Sequence, residues 1–104
     1  MFLTEVLPAF ATELRQLLIE KGERELAAQV PELMILDRCR CGADFYATFY
    51  TQPKPQGGFG PSNRNVALAP EEGMLLLDVV GETIACVEVL YRDEVCQKLQ
   101  AVLP

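Results

Sequence analysis

The sequence predicts one α+β domain: an antiparallel sheet of four or five strands built from two hairpins, with an N-terminal helix pair and a C-terminal helix on one face. Three observations lead there. Apolar residues recur at helical spacing over residues 3–21 and again after Asp93. Between those stretches the period falls to two, in runs rich in β-branched and aromatic side chains. Turn residues divide the alternating runs into two pairs.

The N-terminal stripe is Leu3, Val6, Leu7, Phe10, Leu14, Leu17 and Leu18, one face of a helix. Thr4 is placed to cap it, and Pro8 then falls in the first turn, where a missing N–H matters least. Gly22 is a natural stop. Residues 23–30 read as a second, short helix with Leu26 and Val30 inward and Pro31 ending it.

From Leu33 the pattern alternates. Residues 33–41 and 45–52 read as a hairpin around Gly42-Ala43-Asp44. Phe45, Ala47 and Phe49 share one face, and Tyr46, Thr48 and Tyr50 the other. Residues 52–65 hold three prolines, three glycines and two asparagines, which predicts a long irregular loop, either an inert surface connection or a contact loop.

Residues 66–69 read as a short strand and Pro70-Glu71-Glu72-Gly73 as a turn. Residues 74–80 and 83–91 form the second hairpin. With a loop of Val80-Gly81-Glu82, Leu75, Leu77 and Val79 lie on the side of Ala85, Val87 and Val89. That wholly apolar face should receive the helices. Leu76, Asp78, Ile84, Cys86, Glu88 and Leu90 would occupy the other face, and a two-residue turn would shift the pairing. Asp93 is placed to cap a last helix with Val95, Leu99, Val102 and Leu103 as its stripe.

At 104 residues the chain fits a single domain, 1–104, with room for one core. Its net charge is −6. The acidity is concentrated in residues 66–104, with seven acidic and two basic side chains. Nucleic acid needs a basic face to displace counterions, and none is visible, so neither nucleic acid nor an anionic membrane is an expected partner. The N-terminus lacks a basic segment before its apolar residues, and no apolar run approaches a membrane span, so a cytoplasmic protein is expected. Four cysteines and no histidine are present. Free thiols are expected in such a chain. Without histidine there is no Ser-His or Cys-His pair, and the usual general base is missing.

Two constellations stand out. Cys39-Arg40-Cys41-Gly42 places two thiols on one side of a strand with Leu33 and Ile35. The one-residue spacing departs from zinc knuckles and lacks the helix terminus that activates redox pairs, so the pair reads as two small core residues. No metal and no cofactor is expected. Arg38 and Arg40 share the other side, as Asp78 and Glu88 share a face of the later hairpin. If the hairpins adjoin, these four make a charged patch beside Tyr46 and Tyr50. The plain reading is a solvated sheet face with cross-strand ion pairs. The functional reading is a site for an anionic ligand or a protein.

The block Asp37-Arg38-Cys39-Arg40-Cys41-Gly42, then Phe49-Tyr50-Thr51, Gly73–Asp78 and Val87–Asp93, resembles a small uncharacterised bacterial protein family over about residues 30–98. The resemblance implies a bacterial, cytoplasmic protein with no assigned activity. It brings no catalytic residues.

No catalytic residue is assigned. The expected function is a non-enzymatic interaction or regulatory module, a homodimer or a binder of another protein, because three helices cannot cover both faces of such a sheet. The alternative is a small enzyme or a binder of a small anionic ligand. Its pocket would lie between the sheet and the 52–65 loop, with Arg38, Arg40 and Arg64 as cations and Tyr46, Tyr50, Asp78 or Glu88 nearby. A thiolate metal site is a third reading.

Overall fold

The computed structural model describes residues 1–39, 47–53 and 62–104. It shows the α+β class: N-terminal helices, a five-stranded antiparallel sheet and a C-terminal helix.

The first helical stretch is two helices, α1 (Leu3–Val6) and α2 (Pro8–Lys21). The break has a local cause. A residue before proline is pushed out of the α region, and Leu7 has left it at φ −136°. Pro8 opens α2 rather than lying inside one longer helix, and Thr4 sits inside α1 instead of capping it. Gly22 closes α2 as expected, at φ 88° with its N–H on the Ile19 and Leu18 carbonyls. Helix α3 (Arg24–Gln29) runs on into a 3-10 turn, Val30–Glu32, that contains Pro31.

The strands are β1 (Asp37–Arg38), β2 (Phe49–Tyr50), β3 (Asn63–Leu68), β4 (Met74–Val80) and β5 (Thr83–Leu90), followed by α4 (Asp93–Val102). Their order across the sheet is β1-β2-β5-β4-β3, every neighbour antiparallel. Among the described residues the first hairpin pairs regularly over Asp37–Arg38 and Phe49–Tyr50, and its expected turn, Gly42-Ala43-Asp44, lies outside the described residues. Strand β3 begins inside the segment read as loop; Asn63, Arg64 and Asn65 all pair with β4. Residues 54–61 of that expected loop lie outside the described residues.

The β4–β5 hairpin combines a two-residue turn with the faces expected from the longer loop. Its turn has two residues, Gly81 at φ 55° and Glu82 at φ 64°, the pair of positive angles that a tight hairpin turn requires. That turn sets Val79 against Ile84, yet Asp78 faces Cys86. Ala85 is therefore an extra residue, a bulge. Beyond it, Leu77 faces Val87 and Leu75 faces Val89, which keeps the faces expected from the longer loop with the pairing shifted by two residues. The bulge turns Ile84 into the core, which corrects its expected place on the outer face. Side chains satisfy the displaced backbone. Gln29 Oε1 accepts from the Ile84 N–H at 3.0 Å, and Thr51 Oγ1 donates to the Ile84 carbonyl at 2.7 Å.

All helices pack on one face. Leu14, Leu18, Leu26, Val95 and Leu99 meet Val66, Leu75, Leu77, Val79, Ile84, Val87 and Val89 in one core. Phe49 is wholly buried at its centre and meets Phe10 of α2 edge-on, with centroids 6.2 Å apart. Arg92, at the start of α4, ties the corners together. Its guanidinium forks onto Glu13 of α2 at 2.8 and 3.0 Å, takes Glu94 at 2.7 Å and lies 5.8 Å from the Phe10 ring centroid. These hydrogen bonds hold its charge more firmly than in water. Asp93 is the first residue of α4 rather than its cap, and with Glu94 it places negative charge at the helix's positive end.

Candidate functional site

The cross-strand pairings draw one row over the helix-free face: Asp37, Tyr50, Cys86, Asp78 and Asn65, one from each strand. Directly opposed residues in an antiparallel sheet share a face, so this row is a surface feature built from five separated segments. Asp78 is only 8% exposed, and its Oδ1 accepts from Asn65 Nδ2 at 2.5 Å. Glu88 stands two residues beyond Cys86 on the same face. The Ala47 N–H on the Val89 carbonyl, at 2.8 Å, extends the β2–β5 register and places Thr48 opposite Glu88. Thr48 Oγ1 is buried and has no hydrogen-bond partner among the described residues.

Burial, then hydrogen bonding to Asp78 and its charge, pushes the Glu88 carboxyl up to about 7. The Cys86 thiol is held protonated, first by burial and then by Asp78 and Glu88. A buried, protonated thiol is a poor nucleophile and a poor metal ligand. Between its ordinary 4.5 and about 7, Glu88 binds a proton in the folded chain that the unfolded chain has lost. Stability therefore declines as pH rises through that window and levels off above it. Thermal melts from pH 5 to pH 8 should show that fall, and Glu88→Gln should remove its share; an unchanged profile contradicts the burial argument. Glu23 acts in the opposite sense at lower pH. Hydrogen bonds from Arg64 hold its carboxyl below the ordinary value, so its contribution is lost on acidification.

The structure gathers part of the expected patch and disperses the rest. Tyr50, Asp78 and Glu88 share the helix-free face. Arg38 does not join them. It opposes buried Phe49, and its Nε donates to the Leu103 carbonyl at the end of α4. The cause is an irregularity that alternation cannot reveal: the Leu36 N–H bonds to the Tyr50 carbonyl while Asp37 also pairs with Tyr50. Two residues oppose one there, and every later side chain changes sides. Cys39 follows and leaves the side of Leu33 and Ile35, both in the core. Arg64 stands opposite Val79, toward the helices, with Nη1 and Nη2 each 3.1 Å from Glu23 and its Nε and Nη2 on Glu82 at 3.1 and 3.0 Å. Arg40, Tyr46 and Cys41 lie outside the described residues.

Cys86 is a buried free thiol. Among the described residues no three of Cys, Asp and Glu gather as a metal would require. An open groove of about 550 Å³ beside the 3-10 turn is lined by Gln29, Glu32, Met34, Leu36, Gln52 and Thr83 among others, and its described lining holds no Lys or Arg. No described helix is long and apolar enough to cross a membrane. Sequence reasoning missed Asn65, whose partnership with Asp78 was hidden by reading 52–65 as loop. Its one signal is the polar alternation Asn63, Asn65.

No family model, no curated protein and no solved structure matches this chain. The site's chemistry therefore rests on its own geometry.

Proposed function

We propose that the chain is a non-enzymatic interaction module that acts as a homodimer, two copies meeting through the helix-free face of the sheet. The observation that carries the reading is an apolar corner on that face. Met74, 58% exposed, pairs directly with Leu90, and Leu76 follows two residues along β4 with Ala67 across from it. A contiguous apolar patch beside polar residues is the usual form of a protein contact. A two-fold axis would set each corner against its copy. Glu88, the charge nearest that corner in the ladder, gives up its proton less readily than an exposed glutamate, which lowers the cost of covering it.

The charged side chains support the same reading. Arg38 and Arg64, two of the cations an anionic ligand would need, are engaged by a helix-end carbonyl and by two carboxylates.

The test is Met74→Glu. Met74 is exposed in the single chain, so the fold should lose no more than about 0.5 kcal/mol. Sedimentation should show the variant as a monomer at concentrations where the parent is a dimer. A variant that sediments like its parent removes this face from the interface.

A further inference from the structure

A second surface lies along the free edge of the sheet. Strand β3 is the last in the order, with β4 on one side and no strand on the other among the described residues. The Gly81 N–H reaches the Ser62 carbonyl at 3.5 Å in the β3–β4 register, which marks Ser62 as a bonded position. Bonded and non-bonded positions alternate along an antiparallel ladder. Asn63, Asn65 and Ala67 therefore turn their N–H and C=O groups outward, away from β4. Such a six-residue edge is a template for another strand.

Beside this edge runs α2. Two adjoining open grooves, of about 410 and 230 Å³, lie between them and share Leu17, Glu20 and Ala69. Leu17 gives the grooves an apolar wall. Small Ala67 and Ala69 leave the strand side open. Glu20 and Glu71 stand on the rim with no ion-pair partner among the described residues, whereas Glu13, also on the rim, is neutralised by Arg92. Lys21 is the one basic side chain among the described residues of either lining.

We propose that this groove binds an extended basic segment of another polypeptide, which adds to β3 as a sixth strand. Main-chain hydrogen bonds to Asn65 and Ala67 would supply the pairing. An apolar side chain would lie on Leu17, and lysine or arginine would meet Glu20 and Glu71. Charge selects this occupant over a second copy. Two copies joined edge to edge, each at −6, would bring the same carboxylates together. The proposal rests on the reading of the chain as an interaction module and names the partner that module takes.

The probe is a short fluorescent peptide of alternating valine and lysine, with a valine–glutamate peptide as its control. The lysine peptide should bind the full chain and shift the backbone amide resonances of residues 63–69 and 16–21, and the glutamate peptide should not bind. Ala67→Pro removes one outward N–H and no β3–β4 hydrogen bond, a substitution that edge strands tolerate. Glu20→Lys reverses a rim charge on an exposed helix position and leaves the backbone alone. Each should weaken binding by about tenfold. Equal binding of both peptides, shifts confined to other elements, or unchanged affinity in Glu20→Lys overturns the proposal. Edge amides of the unliganded chain that are protected from exchange and lose that protection on dilution overturn it too, by placing a second copy there. Sedimentation separates this inference from the homodimer. A monomer that binds the peptide refutes only the dimer, and a dimer that ignores it refutes only the groove.

Discussion

Replacing Gly73 with alanine should cost the fold about 2–4 kcal/mol, the sum of a left-handed backbone strain of roughly 1–2 and an overpacking strain of similar size. Gly73 ends the turn between β3 and β4 at φ 69°. A Cβ there would run into the Leu90 carbonyl oxygen and press on Arg92 Cγ and Cδ at 3.0 and 3.2 Å. The carbonyl is backbone and cannot swing aside. Arg92 cannot yield freely either, because its side chain is only 10% exposed and holds Glu13 on α2. Melting should fall by roughly 8–32 °C at about 4–8 °C per kcal/mol for a domain of this size. Gly22 and Gly81 are the controls. They share a positive φ but have open space around the added carbon, so alanine there should cost only about 1–2 kcal/mol. Equal losses at all three glycines would mean that the approach of Leu90 and Arg92 contributes nothing.

The second large effect is expected at Phe49. Its ring is fully buried between the sheet and α2, against Phe10. Phe49→Ala should cost about 3–5 kcal/mol, the usual loss for emptying a core aromatic site. A domain of ordinary stability holds about 5–15 kcal/mol in all, so the variant should lose a large share of the total. Phe49→Leu keeps most of the volume and should cost markedly less, about 1–1.5 kcal/mol. Chemical denaturation of the two variants tests the assignment. A mild effect of alanine would place the centre of the core elsewhere.

These two residues also show what could be read in advance. Alternation over 45–52 made it legible that Phe49 shares a face with Ala47, and the structure shows that this face is the buried one. The β4 and β5 segments were legible for the same reason, and their limits agree with the sequence reading to within one residue at Tyr91. What alternation cannot show is an extra residue. The bulge at Ala85 sent Ile84 inward, and the doubled opposition of Leu36 and Asp37 to Tyr50 sent Arg38 toward α4 and Cys39 away from the core. The second irregularity reverses the face of Arg38, which is why Arg38 does not join Asp78 and Glu88.

Chain-distant partners hid the remainder. Nothing local tells Arg64 that Glu23 will stand beside it, forty-one residues away. Nor does any local pattern mark β3 as an edge, since strand order depends on which hairpin β5 chooses as its outer neighbour. Pro8 is a different case. Its effect on Leu7 was available from backbone sterics, and the helix break could have been placed before the structure was known.

The functional account depends on the open face of the sheet being covered by a second copy. Light scattering on the purified chain at micromolar concentration measures that directly. The account predicts a particle of twice 11.6 kDa that falls to the single mass in Met74→Glu. A parent chain that scatters as 11.6 kDa throughout the concentration series would contradict it.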